Sequence, residues 1–220
     1  MKNYWKAYNT FACRIYCLVM FIAVPLFIWG LHFVMLQLIS PIDILNMALY
    51  EIVFITFGDY FTFNGIPSKE YNFGLLRCTL KGREYIRHSI IADEVVRFLH
   101  IVLVSVGCAL ISIATVPCDF VHEYLLMHIT LVFLVYGAST FSLMIARHVT
   151  SFMSYLGVAG LLNMVLGVVI AVGIGLFHAE LQLISLYPWL IVGIATSLIL
   201  PVISNKIIIK NYNRCFMEGK

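Results

Sequence analysis

Charged residues are scarce in this chain, 11% of its 220 residues, where a soluble domain carries about 25%. That scarcity excludes a water-facing globule, because a polar solvent does not tolerate so much leftover apolar surface. The six cysteines (Cys13, Cys17, Cys78, Cys108, Cys118 and Cys215) form no CxxC pair and no zinc-like spacing. Neither a disulfide framework nor a metal finger is implied, and a free thiol beside an apolar run behaves as a small hydrophobe. There is no GxxxxGK[ST] phosphate loop, so ATP chemistry would have to come from another polypeptide. No repeat, low-complexity tract or change of composition divides the chain, and residues 1–220 read as a single transmembrane domain.

Apolar residues are abundant, at 62% of the chain, with a mean hydropathy of +0.97. Six runs are long enough to cross a bilayer: Ile15–Ile39, Ile42–Phe63, Phe98–Val116, Tyr124–Ile145, Phe152–Phe177 and Leu186–Ile208. They predict an all-α polytopic membrane protein with six transmembrane helices. The first run is too long for a signal-peptide core and no small-residue cleavage pattern closes it, so it reads as a retained span. Before it, a short basic and aromatic segment with Tyr4, Trp5 and Tyr8 suits the membrane surface. Ser40-Pro41-Ile42-Asp43 is a helix-start signature for the second span, and Asn64-Gly65-Ile66-Pro67 is a stop signal.

Lys and Arg set the orientation. With a cytoplasmic N-terminus, the N-terminal segment, the loop Ser68–Arg97, Arg147 and the C-terminal tail all fall on one side. Together they hold all fourteen Lys and Arg residues. The opposite turns hold only acids and histidines, so both termini are expected in the cytoplasm of a cell (plasma) membrane protein. In the later spans, Gly167, Ala171 and Gly175, and then Gly193 and Ser197, recur at four-residue intervals. That spacing suits close helix packing in lipid.

Enzyme motifs fit poorly. His122-Glu123 is followed by His128, two residues too far on for a zinc-peptidase helix. Asp93-Glu94-Val95-Val96-Arg97 is one residue short of an intramembrane-protease motif. Gly137-Ala138-Ser139-Thr140 lacks the final glycine of a rhomboid site, and a Cys78/His88 pair arises easily by chance. The seven histidines are scattered, so no metal site is expected. Glu51 stands apart, a carboxylate in mid-span with Asn46 and Thr56 nearby. Such a group normally faces a cavity or a partner, and a pathway-lining role and a structural hydrogen bond both remain open for Glu51 and Asn46.

The loop Ser68–Arg97 is the one long polar interval, with six of the basic residues and four acids. Phe73, Leu76 and Leu80 share one face of a short helix, and Arg77 and Lys81 lie on another. Leu80-Lys81-Gly82 is expected to break it, and Arg83 to start a second helix leading into the third span. The segment GLLRCTLKGREYIRHSIIADEVVRFL resembles the cytoplasmic segment between the second and third spans of ABC type-2 transporter permeases. Gly74-Leu75-Leu76, Thr79-Leu80, Gly82-Arg83 and Tyr85 carry the likeness, while Lys81 stands where that family usually has proline. The resemblance implies a permease that dimerises with a second permease subunit. Its loop would couple to a separate ATP-binding subunit through Phe73, Leu76, Arg77, Leu80, Lys81 and Arg83. It implies no catalytic residue and no cofactor on this chain, and no nucleic-acid partner. Membrane lipid is the other partner expected of a basic loop. Two alternatives stand beside this reading: a membrane enzyme with a cytoplasmic-face site, and a non-catalytic scaffold or immunity protein.

Overall fold

The computed structural model describes residues 2–12, 14–38, 43–65, 79–115, 121–149, 151–178 and 186–212. Among them every regular element is helical. Helix α1 (Lys2–Phe11) is short and amphipathic. The chain then rises through α2 (Arg14–Leu18), a π-helical turn (Val19–Ala23) and α3 (Val24–Leu38). The widened turn has a local cause. Pro25 lacks an N–H, and its ring collides with the carbonyl four residues back. The backbone relaxes into longer-range bonds instead, with the Val24 N–H reaching Val19 O.

Helix α4 (Asp43–Asp59) continues as a second π segment, Tyr60–Gly65. Helix α5 (Leu80–Thr115) is the longest, followed by α6 (Val121–Ala146), α7 (Phe152–His178) and α8 (Leu186–Tyr212). Among the described residues, five stretches are long and apolar enough to cross a membrane: Ile15–Val34, Leu80–Thr115, Tyr124–Ala146, Phe152–Ile170 and Leu186–Lys210. The chain is accordingly a multi-pass membrane protein. Helix α4 is not among the five; it carries Glu51 and Asp59 among its apolar residues.

The expected break at Leu80-Lys81-Gly82 is absent, and α5 starts at Leu80 instead of Arg83. Thr79 caps it: its Oγ1 accepts the Gly82 N–H at 3.0 Å, and its carbonyl accepts the Arg83 N–H at 3.0 Å. A hydroxyl that satisfies an orphan N–H lets a first turn absorb the glycine.

Helix α6 is the centre of the bundle. In its span 67% of residues are buried, against 11–28% in the other four. It packs on α8, α5, α4 and α7. Glycine sets the closest of these approaches: a Cβ on Gly137 would lie 2.8 Å from Thr196 Oγ1, and one on Gly193 would lie 3.1 Å from Phe133 Cβ. Elsewhere the bundle shows large apolar side chains outward, such as Leu26, Leu110, Met164 and Leu198. Such a surface suits hydrocarbon.

At one end, α1 clasps the start of α5. The Tyr85 hydroxyl donates to the Lys6 carbonyl at 3.0 Å and lies 2.7 Å from Thr10 Oγ1. The ring of Tyr4 packs at a tilt against His88, with the ring centroids 4.2 Å apart. Phe11, Ile86, Ile90 and Ile208 form a small core that brings the end of α8 to the same place.

Candidate functional site

One face of α5 carries Asp93, Arg97, His100, Cys108 and Ser112, all buried. Their spacings of three, four and eight residues keep them in line on a 3.6-residue helix. Asp93 and Ser112 are roughly 28 Å apart along the axis, about the thickness of a hydrocarbon core. The polar face therefore runs the depth of the bundle. Its neighbours supply partners at three levels.

The first level lies near the α1 end and is a buried charge cluster. Arg147, just past α6, donates from Nε to Asp59 Oδ2 at 2.9 Å, and its Nη2 contacts both Asp59 and Asp93. One guanidinium thus ties α4 to α5. Arg97 pairs with Glu94 on its own helix and lies 3.6 Å from Asp93 Oδ2. The Tyr136 hydroxyl donates to Glu94 Oε2 at 3.1 Å, and the Arg97 guanidinium sits 5.9 Å over the Tyr136 ring. Several groups lack partners. Glu94 Oε1 has none, and neither ring nitrogen of His100 is hydrogen-bonded, although both side chains are buried.

A cavity of about 10 Å³ opens in this cluster, lined by Tyr8, Tyr16, Asp59, Asp93, Arg97 and His100 with Met20, Phe21 and Ile55. It is about the size of one water molecule. Tyr8 reaches it from α1; burial, with Asp93 adding to it, pushes its phenol well above the ordinary range.

The second level holds Glu51, which is 3% exposed with Oε1 unpartnered. It lies within electrostatic reach of Cys108.

The third level is a hydroxyl between two imidazoles. Ser112 Oγ lies 2.9 Å from His32 Nε2 and 3.2 Å from His128 Nε2, with the two rings edge to face. One hydroxyl has one proton to give, so it donates to one ring and accepts from the other. The two histidines therefore hold different protonation patterns at Nε2.

A separate network joins α4, α6 and α7. Asn163 Nδ2 donates to Thr56 Oγ1 at 3.1 Å, Ser142 Oγ donates to Asn163 Oδ1 at 2.8 Å, and the Tyr155 hydroxyl donates to the Thr56 carbonyl at 2.7 Å. Each of these three bonds crosses from one helix to another, which suits a structural tie.

No family model, no curated protein and no solved structure matches this chain. Its chemistry has to be read from its own residues.

Of the residues singled out by pattern, Phe73, Leu76 and Arg77 lie outside the described residues, as do Cys78 and the side chain of Asn46. Leu80 and Lys81 are exposed at the start of α5, and Arg83 is half-buried. Glu51 is in the column. His122 is exposed whereas His128 is buried, as a six-residue spacing on a helix requires. Ser139 donates to the Tyr136 carbonyl of its own helix. Among the described residues no group of three or more His, Cys, Asp or Glu side chains is placed to hold a metal ion. Asp59, Arg147, His32 and Ser112 were not anticipated. The available signal was the run of polar residues at three, four and eight on α5, which apolar counting hides.

Proposed function

We propose that this chain is the membrane subunit of an ATP-driven ABC-type exporter, moving an amphipathic or hydrophobic compound such as a peptide, drug or lipid-like molecule. In this reading α4 with its π extension is the second of six spans, both termini are cytoplasmic, and the protein resides in the cell membrane. It works with a separate ATP-binding subunit and a second permease subunit. The observation that carries the reading is the continuity of α5. Its 36 residues run unbroken from an exposed basic first turn at Leu80 and Lys81 into the bundle. About 20 residues suffice to cross hydrocarbon, so several turns project beyond it, braced by α1. A rigid helix of that kind transmits a push at its tip to the polar column along its inner face. Glu51 and Asn46 then belong to the span that lends Asp59 to that column.

The test is docking. A helix seated in a groove depends on apolar anchors, with charges orienting it at the rim. Phe73→Asp combined with Leu76→Asp is expected to abolish co-purification of the ATP-binding subunit and to stop transport, at unchanged membrane abundance. Retained subunit and full transport would remove the proposal. If that pair is tolerated while neutralising Arg77, Lys81, Arg83 and Arg87 together abolishes function, the loop binds lipid headgroups instead.

A further inference from the structure

We infer that the groove between α1 and the start of α5 is a phospholipid headgroup site, selective for a headgroup with a primary ammonium beside its phosphate. This does not rest on the transport reading. The groove has a volume of about 290 Å³ and is lined by Asn3 and Lys6 of α1 and by Lys81, Glu84, Tyr85 and His88 of α5. The four α5 residues recur at three and four, so they share one face of that helix. The two walls are fastened to each other at the groove itself: the Tyr85 hydroxyl donates to the Lys6 carbonyl, and the Tyr4 ring packs against His88. Its charges are of mixed sign. Lys6, Lys81 and Glu84 are exposed, and among the described residues none of the three forms an ion pair. Two ammoniums offer donors to phosphate oxygens, and the carboxylate beside them accepts from a cation that bears N–H groups. A purely anionic headgroup meets Glu84 unfavourably, and a quaternary ammonium has no N–H to give it. A phosphate joined by a short linker to a primary ammonium satisfies both signs.

The surroundings of the groove favour a lipid over a free phosphate ester. The same face of α5 continues along the helix as Val95, Leu99, Leu103, Val106 and Leu110, again at spacings of three and four. All five are exposed, whereas the charged residues of that stretch, Asp93, Glu94 and Arg97, are buried in the bundle. A headgroup held in the groove therefore leaves its acyl chains beside an open apolar track. Helix α1 marks the same level, being amphipathic with Trp5 exposed, and such a helix lies at the membrane interface, where tryptophan concentrates.

The experiment is native mass spectrometry of the full-length protein in detergent. Wild type and variant are mixed in one solution, so that non-specific lipid attachment is common to both. The probes are phosphatidylethanolamine, phosphatidylcholine and phosphatidylglycerol with identical acyl chains. Wild type is expected to bind phosphatidylethanolamine roughly two- to fivefold more tightly than either of the others, the worth of one exposed ion pair. Glu84→Ala should abolish that preference and bind phosphatidylethanolamine and phosphatidylcholine alike. Lys6→Ala with Lys81→Ala should weaken all three lipids, because each carries a phosphate. The three substituted side chains are exposed, so the variants should keep the wild-type melting temperature. Equal binding of phosphatidylethanolamine and phosphatidylcholine by wild type would overturn the inference. So would tightest binding of phosphatidylglycerol, or an unchanged preference in Glu84→Ala. Glycerophosphoethanolamine, which lacks acyl chains, should bind far more weakly; affinity equal to that of the intact lipid would overturn the lipid assignment in favour of a soluble ester.

Discussion

Arg147 shows what a single side chain can hold in this bundle. It lies fully buried and reaches Asp59, 88 positions earlier, and Asp93, 54 positions earlier. A buried pair is weak evidence for net stability, because desolving both charges offsets much of their attraction. Removing one partner is another matter, since the remaining charge is stranded. Arg147→Met is expected to destabilise the bundle by about 3–5 kcal/mol, measured as loss of resistance to denaturant in detergent. Adding Asp59→Leu should recover part of that loss, which a purely steric role for Arg147 would not allow. Asn163→Ala sets the contrast. Interhelical hydrogen bonds in membranes average roughly 0.6 kcal/mol, so its cost should stay near or below about 2 kcal/mol even with Thr56 and Ser142 both affected. If Asn163→Ala proved the more damaging of the two, the charge cluster would not be the stronger tie.

At the scale of helices, α3 and α5 touch where α5 has no side chain. Trp29 Nε1 donates to the Val104 carbonyl at 3.0 Å, and a Cβ on Gly107 would overlap the indole ring. The glycine is there to admit an aromatic plate, and the tryptophan N–H takes a backbone carbonyl on that helix. Gly107→Ala should therefore cost about 1–3 kcal/mol, as overpacking does. Gly157→Ala, where nothing lies within 4 Å of the added carbon, should be neutral or slightly stabilising. The paired measurement is thermal stability in one detergent; equal effects would mean that the α3–α5 approach is looser than described. The same scale explains the start of α5. Read alone, Leu80-Lys81-Gly82 looks like a break because glycine disfavours helix. Thr79 capping the turn and α1 packing over it outweigh that preference, so the helix runs on. Pro25 acts in the opposite sense: its π turn is a local steric effect.

For the molecule as a whole, orientation is the property that decides what each end of the column meets. Every Lys and Arg falls on one side of a six-span arrangement. Reporter fusions at Asp119 and Glu180, both outside the described residues, should read as external, and Cys78 should label only from within. External labelling of Cys78 would reverse the column and move the charge cluster to the outer face. The membrane class, the rough places of the spans and that charge asymmetry were determined by sequence alone. Each is a property of a local stretch: enough consecutive apolar side chains cross hydrocarbon whatever their neighbours do. Which polar residues meet was decided only by tertiary structure. Asp59 and Arg147, His32 and Ser112, and Glu94 and Tyr136 come from different elements of the bundle, 88, 80 and 42 positions apart. Their pairing depends on how each helix is rotated about its axis and where it slides along its neighbour. Large apolar faces meet lipid and protein almost alike, so hydrophobicity sets neither the rotation nor the register. Close approach at Gly107, Gly137 and Gly193, together with the high cost of stranding a charge, does.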